Sequence, residues 1–358
     1  MSLPAQIRAY IDSLVHPSAR LDPLTAARHR AFIAPRFIGG LIALTALPIH
    51  LALSGVPSTL EILFYGWLAT PILVACYLSR TGHYEKAQLA YAEALAGLSP
   101  KSPAYSRAAE ARLYSLQTTR NHADCVAFAR ATLPSLAHTV SGATFAGAGL
   151  DCATALPSTA AGRSEAISFF EAKVRAVLAD ASLPLVADDR SALYESLHSA
   201  LDDGGDKAGA QKVADGWVAY LDGQAARANT ATQVTALDPN RLNAFEAAGQ
   251  AEKAIPMLEA SERAFPEDYN PPARLALVYL WLKQYDTALA ASDRALARVY
   301  GPRKLRVLAV RADIYKGMGN AAAARKTVEE SLEYAEALPP GQRSEPAIAS
   351  LKKQLEGS

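Results

Sequence analysis

The sequence predicts an all-α chain, an α-solenoid of helical hairpins preceded by a two-helix membrane hairpin. Three observations carry that expectation. A small side chain recurs at Ala87, Cys125, Ala166, Ala210, Ala254, Ala288 and Ala324, at intervals of 38, 41, 44, 44, 34 and 36 residues. Half of the 358 residues are hydrophobic while only 8% are aromatic, the balance expected of Ala- and Leu-rich helices packed at close range. Two runs near the front, 37–53 and 62–78, contain no Lys, Arg, Asp or Glu.

Residues 1–36 read as a basic N-terminal arm. Ile7, Tyr10, Ile11, Leu14 and Val15 recur at helical spacing, and Arg8, Arg20, Arg28, Arg30 and Arg36 outnumber Asp12 and Asp22. The pattern suits an amphipathic helix on an anionic inner membrane surface, and equally a solvated arm. Residues 37–79 read as a transmembrane hairpin. Each apolar run holds 17 residues. At about 1.5 Å per residue each reaches roughly 25 Å, the short end of a membrane span. Ser54-Gly55-Val56-Pro57-Ser58-Thr59 is a turn between them. Arg28, Arg30 and Arg36 precede the first run, Arg80 and Lys86 follow the second, and the turn has no basic residue. Basic flanks resist translocation, so both ends and the repeat domain are expected in the cytoplasm, at a bacterial inner membrane. The competing reading of 37–78 is a pair of buried core helices. A long polar arm ahead of the apolar stretch argues against a cleavable signal peptide.

Residues 80–358 carry the repeats and a C-terminal capping helix. Tyr279 and Tyr315, Ala288 and Ala324, and Leu296 and Leu332 are each 36 apart. Two helices of a hairpin approach closely only where the side chain between them is small, so each recurring Ala marks the start of a second helix. The longer middle intervals demand longer loops or helices. Val307, Leu308 and the tail helix through Leu351 are expected to seal the last repeat, with Lys352 and Lys353 giving it a soluble outer face.

Gly82, Tyr84, Ala87, Tyr91, Ala94 and Leu95 form one copy of a motif. Leu275, Tyr279, Tyr285, Ala288, Ala295 and Leu296 form its best copy, and Tyr315, Gly319, Ala324 and Leu332 its last. This pattern resembles the tetratricopeptide repeat family over roughly residues 80–336. It departs at Pro272, where the family favours an aromatic, and at Arg311, an expected packing position. The strings 185–195, 265–275 and 299–305 resemble the repeat region that follows a thioredoxin-like domain in certain bacterial proteins, over about 82–356. The paired active-site cysteines are missing, so the likeness implies at most an accessory role beside a redox protein. The strings 16–23, 28–36 and 77–82 resemble the membrane anchor of some alphaproteobacterial sensor histidine kinases, over about 14–88. No phospho-acceptor helix or ATP-binding glycine box follows.

A net charge of +1 gives no field for nucleic acid. Cys76, Cys125 and Cys152 have no metal spacing and read as free core thiols, with a redox pair or a Cys125–Cys152 disulfide as the alternatives. The seven histidines stand in no ligand spacing, and no phosphate loop is present. Asp188-Asp189 reads as a helix start. No cofactor, metal or catalytic residue is expected. The expected function is a membrane-anchored scaffold for protein–protein interaction. Its concave groove takes a protein or peptide partner, with Asn240, Asn243, Arg274, Arg306 and Asp313 facing it. Arg274 and Arg306 suit a carboxylate. The alternatives are an accessory subunit of a thiol-redox system and the input fragment of a histidine-kinase-like sensor.

Overall fold

The computed structural model describes residues 83–356. The arm at 1–36, the apolar hairpin at 37–78 and nearly all of the kinase-like stretch lie outside the described residues. Every regular element among the described residues is helical. They are α1 (Tyr84–Ala96), α2 (Pro103–Thr118), α3 (His122–Thr132), α4 (Val140–Thr154), α5 (Arg163–Ala179), α6 (Ala187–Asp203), α7 (Lys207–Arg227) and α8 (Ala231–Ala236). There follow α9 (Asp238–Ala247), α10 (Ala254–Ala264), α11 (Asn270–Trp281), α12 (Tyr285–Leu296), α13 (Arg303–Gly317), α14 (Ala321–Ala337) and α15 (Glu345–Glu356). Helices α2/α3, α4/α5, α6/α7, α9/α10, α11/α12 and α13/α14 pack as successive hairpins, and α15 lies on α14. Among the described residues no helix is long and apolar enough to cross a membrane.

Each recurring small residue sits where the spacing places it. Ala87, Cys125, Ala166, Ala210, Ala288 and Ala324 are each the fourth residue of α1, α3, α5, α7, α12 and α14, and Ala254 opens α10 after a short 3-10 turn. All seven are buried, none more than 4% exposed. The turns that bring the paired helices together share one closure. The amides of Asn121, Asp206, Gln250, Gln284 and Asn320 donate to the carbonyls of Leu116, Leu201, Phe245, Tyr279 and Tyr315. The residue before each donor has positive φ: Arg120, Gly205, Gly249, Lys283 and Gly319. This is the Schellman arrangement, which satisfies two carbonyls the helix end would leave bare.

The irregular middle has visible causes. α7 runs for 21 residues and α8 is an additional short helix, capped by Thr230. The loop between α4 and α5 is long, and Arg163 holds it by donating to the carbonyls of Thr154 and Leu156 at 2.9 and 3.0 Å. α4 is rich in Gly and Ala because α5 lies on top of it: a Cβ at Gly149 would fall 2.2 Å from the Phe170 ring. The core runs along the stack in clusters. One joins α2 to α7 and another joins α9 to α13. Between them the buried Trp217 stacks on Tyr194, and its indole N–H donates to Ser191 at 3.0 Å.

Polar ties cross from repeat to repeat. Glu262 of α10 accepts Arg294 and Arg298 of the next hairpin at 2.9 Å each. Burial works to raise its carboxyl, but the two guanidinium groups outweigh it and hold Glu262 below the ordinary range. Both departures from the repeat pattern are accommodated. Pro272 is buried in the first turn of α11, where its missing N–H costs nothing. Arg311 pairs with Asp293 of α12 and lies 5.5 Å over the Tyr315 ring. In α15 Ile348 is buried, and Lys352 reaches Glu336 of α14 at 2.8 Å.

The cysteines correct the expectation of free thiols. Cys125 of α3 and Cys152 of α4 form a disulfide with a Cα separation of 6.1 Å, spanning 27 residues. The small residue that lets α3 approach its neighbours is here a thiol, and it meets a second thiol across the gap. Both are buried, at 0% and 2% exposure. Replacing both with Ala should cost roughly 3–4 kcal/mol by loop-closure entropy, read as a lower urea midpoint. Dithiothreitol should abolish most of the difference. Lys283 is an exposed non-glycine at φ 58°, so Lys283→Gly should stabilise the chain by about 1 kcal/mol in the same assay.

Candidate functional site

The first helices of three successive hairpins, α9, α11 and α13, enclose a cavity of about 310 Å³. α11 begins with Asn270-Pro271-Pro272; its amide start is fixed by Asp268, whose carboxylate accepts the Asn270 N–H at 2.9 Å. That register turns Asn270, Ala273, Arg274 and Leu277 toward the cavity, one helical face. α13 presents Arg303, Arg306, Val307 and Val310 by the same spacing, and α9 presents Leu242 and Asn243. The lining is therefore an apolar floor with three guanidinium groups and two amides. No acidic residue lines it.

The charges are not quenched locally. Neither Arg274 nor Arg306 forms an ion pair among the described residues. Burial holds the Arg274 guanidinium below its ordinary value, and Arg306 pushes the same way. Asp238, Asp268 and Tyr269 oppose them. Asp238 is fully buried at the start of α9, and neither of its carboxylate oxygens finds a hydrogen-bond partner among the described residues. Burial raises its carboxyl above the ordinary range, while Ser261, Arg274 and Arg241 favour the ionised form. Arg274 is thus a partly desolvated cation whose nearby counter-charges are strained or committed elsewhere, since Asp268 already accepts the Asn270 amide and side chain. A carboxylate entering the cavity would meet donors with fixed fork geometry and little competing water.

The structure brings Asn243, Arg274 and Arg306 together at this cavity. It places Asn240 and Asp313 elsewhere. Asn240 donates to Asp188 of α6 at 2.6 Å, tying two repeats together. Asp313 is paired with Lys316 at 2.9 Å on an exposed face. Counting from the small residues does not single out Arg303, Tyr269 or Asn270, all of which line the cavity. The i, i+3 spacing of Arg303 and Arg306 is the signal for the first of these. Among the described residues no group of three His, Cys, Asp or Glu side chains could hold a metal ion.

Residues 269–337 match the model of the tetratricopeptide repeat. No curated protein matches the chain. Among solved structures, it resembles a tetratricopeptide repeat protein from Parabacteroides merdae with a TM-score of 0.47 and 9% identity, covering 81% of this chain and 98% of that one. A thermophilic TPR protein of Thermus thermophilus follows with a TM-score of 0.29 and 14% identity, covering 81% and 97%. The TPR2AB domain of yeast Sti1, in its pHSP90 complex, gives a TM-score of 0.29 and 12% identity, covering 81% and 99%. The matched segment 269–337 takes in α11, α12, α13 and α14, so the match to the tetratricopeptide repeat model is confined to these four helices.

Proposed function

We propose that the chain is a membrane-anchored scaffold, without catalysis of its own, whose groove on α9, α11 and α13 takes an acidic segment of a partner protein. Tetratricopeptide repeats commonly mediate protein–protein interaction, and the observation that carries the finer reading is the cavity wall: Arg274, Arg303 and Arg306 with no acid among them. The anchor rests on the two charge-free runs at 37–53 and 62–78, and the basic flanks favour both ends on the cytoplasmic side.

One observation favours a second reading, an accessory subunit beside a thiol-redox protein. Structural disulfides persist in oxidising compartments and are rare in a reducing cytosol. The buried Cys125–Cys152 bond therefore supports a repeat domain outside the cytoplasm, against the charge of the flanks. Labelling intact cells with a membrane-impermeant amine reagent separates the two: modified repeat-domain lysines favour the second reading, protected ones the first.

The groove is tested by crosslinking in native membranes and by a glutamate-ended peptide as probe. Arg274→Ala with Arg306→Ala should weaken the peptide by at least about 10-fold, because each charge-assisted hydrogen bond is worth roughly 1.5–3 kcal/mol. Asp238→Asn removes a carboxylate that competes for Arg274, so it should tighten the same peptide. Unchanged affinity in the double variant would remove the groove from the site.

A further inference from the structure

A second cavity, of about 350 Å³, lies far along the chain from the arginine groove, between α4, α5 and the segments at 133–139 and 180–183. Its floor is apolar and buried: Leu133, Ala143, Ala146 and Leu183. Pro134, Ala137 and Ala176 stand exposed at its rim. The space exists because α4 is built of small residues. The side chains of Ala143 and Ala146 stop short of α5, and Phe169 and Val177 wall the far side.

Charge gathers at the mouth and nowhere on the floor. Lys173 is exposed there, 5.5 Å above the Phe169 ring, and forms no ion pair among the described residues. His138 and Asp180 face each other across the rim. The Asp180 carboxylate already accepts the amide and hydroxyl of Ser182. The Ser182 hydrogen bonds hold its carboxyl below the ordinary range, and no ion pair links it to Lys173. The α4 N-terminus, with Thr139 as its cap, opens on the same rim and adds a weak positive field.

We propose that this cavity binds a medium-chain aliphatic carboxylate, its tail on the apolar floor and its head at Lys173. The volume is at the small end of the roughly 300–1,000 Å³ range of ligand pockets. At roughly 30 Å³ per water-sized group it accommodates about a dozen heavy atoms, the size of decanoate. The apolar floor selects the tail, and the unpaired ammonium selects an acid over the alcohol of equal length. The site is independent of the arginine groove.

The test uses full-length protein in lipid nanodiscs and decanoic acid bearing a terminal diazirine, photolysed and mapped by mass spectrometry. Labelling should fall within residues 133–183, and unlabelled decanoate should compete for it. Ala176→Trp fills the mouth from an exposed position and should reduce this labelling by about 10-fold or more, with circular dichroism verifying the fold. Lys173→Gln should weaken competition by decanoate about 2–5-fold, the modest effect expected of an exposed pair, and leave competition by decanol unchanged. Labelling confined to other segments, or labelling that Ala176→Trp leaves intact, would overturn the site. Equal competition by decanoate and decanol in the wild type would overturn the carboxylate assignment.

Discussion

Seven side chains no larger than a thiol set the distance between helices along this chain, and the remaining architecture follows from that distance. Where Ala288 or Ala324 is buried against the preceding helix, two backbones approach more closely than Leu or Val would permit. Close approach needs a turn that reverses the chain within a few residues. The Schellman closures at Arg120, Gly205, Gly249, Lys283 and Gly319 supply it. Repetition of the same pair then stacks first helices beside first helices. That stacking is what carries Arg274 and Arg306, from neighbouring repeats, into one cavity.

The arginine groove shows how a packed stack tolerates an unfavourable grouping of charge. Arg274 and Arg306 repel one another, and burial weakens the hydration of Arg274. Asp238 and Asp268 offset part of this from behind the wall, without lining the cavity. The outcome is a surface electropositive toward a ligand and compensated toward the core. On the second helices, Glu262 ties to Arg294 and Arg298 of the next hairpin. Such half-buried pairs are stronger than fully exposed ones, though solvent still screens the Arg294 contact.

Much of the fold was legible in the sequence because one helical contact repeats. Ala87, Ala210, Ala288 and Ala324 each stand fourth in their helices and Ala254 first in its own, and the long middle intervals foretell the long α7 and the extra α8. Cys125 and Ala166 likewise stand fourth in theirs. What escaped depends on partners distant in sequence. Cys125 looked like a packing residue because nothing local reports that Cys152 comes back beside it. Asn240 and Asp313 lie on plausible faces, yet Asp188 and Lys316 occupy them first. Arg303 belongs to the groove through the first turn of α13, a boundary that the repeat motif leaves undefined. Side-chain pairing is decided by neighbours, and periodicity describes only backbones.

The disulfide also gives the stack a direction. In a linear array each hairpin touches only its neighbours, so a crosslink protects the repeats it joins and little beyond them. The bond between α3 and α4 staples two hairpins, whereas the trailing half relies on packing and partly buried ion pairs. Local opening of α13 to α15 is therefore expected to cost less than opening of the stapled helices. The arginine groove lies in that looser half, where an arriving ligand can rigidify the helices it touches and so steady the trailing repeats.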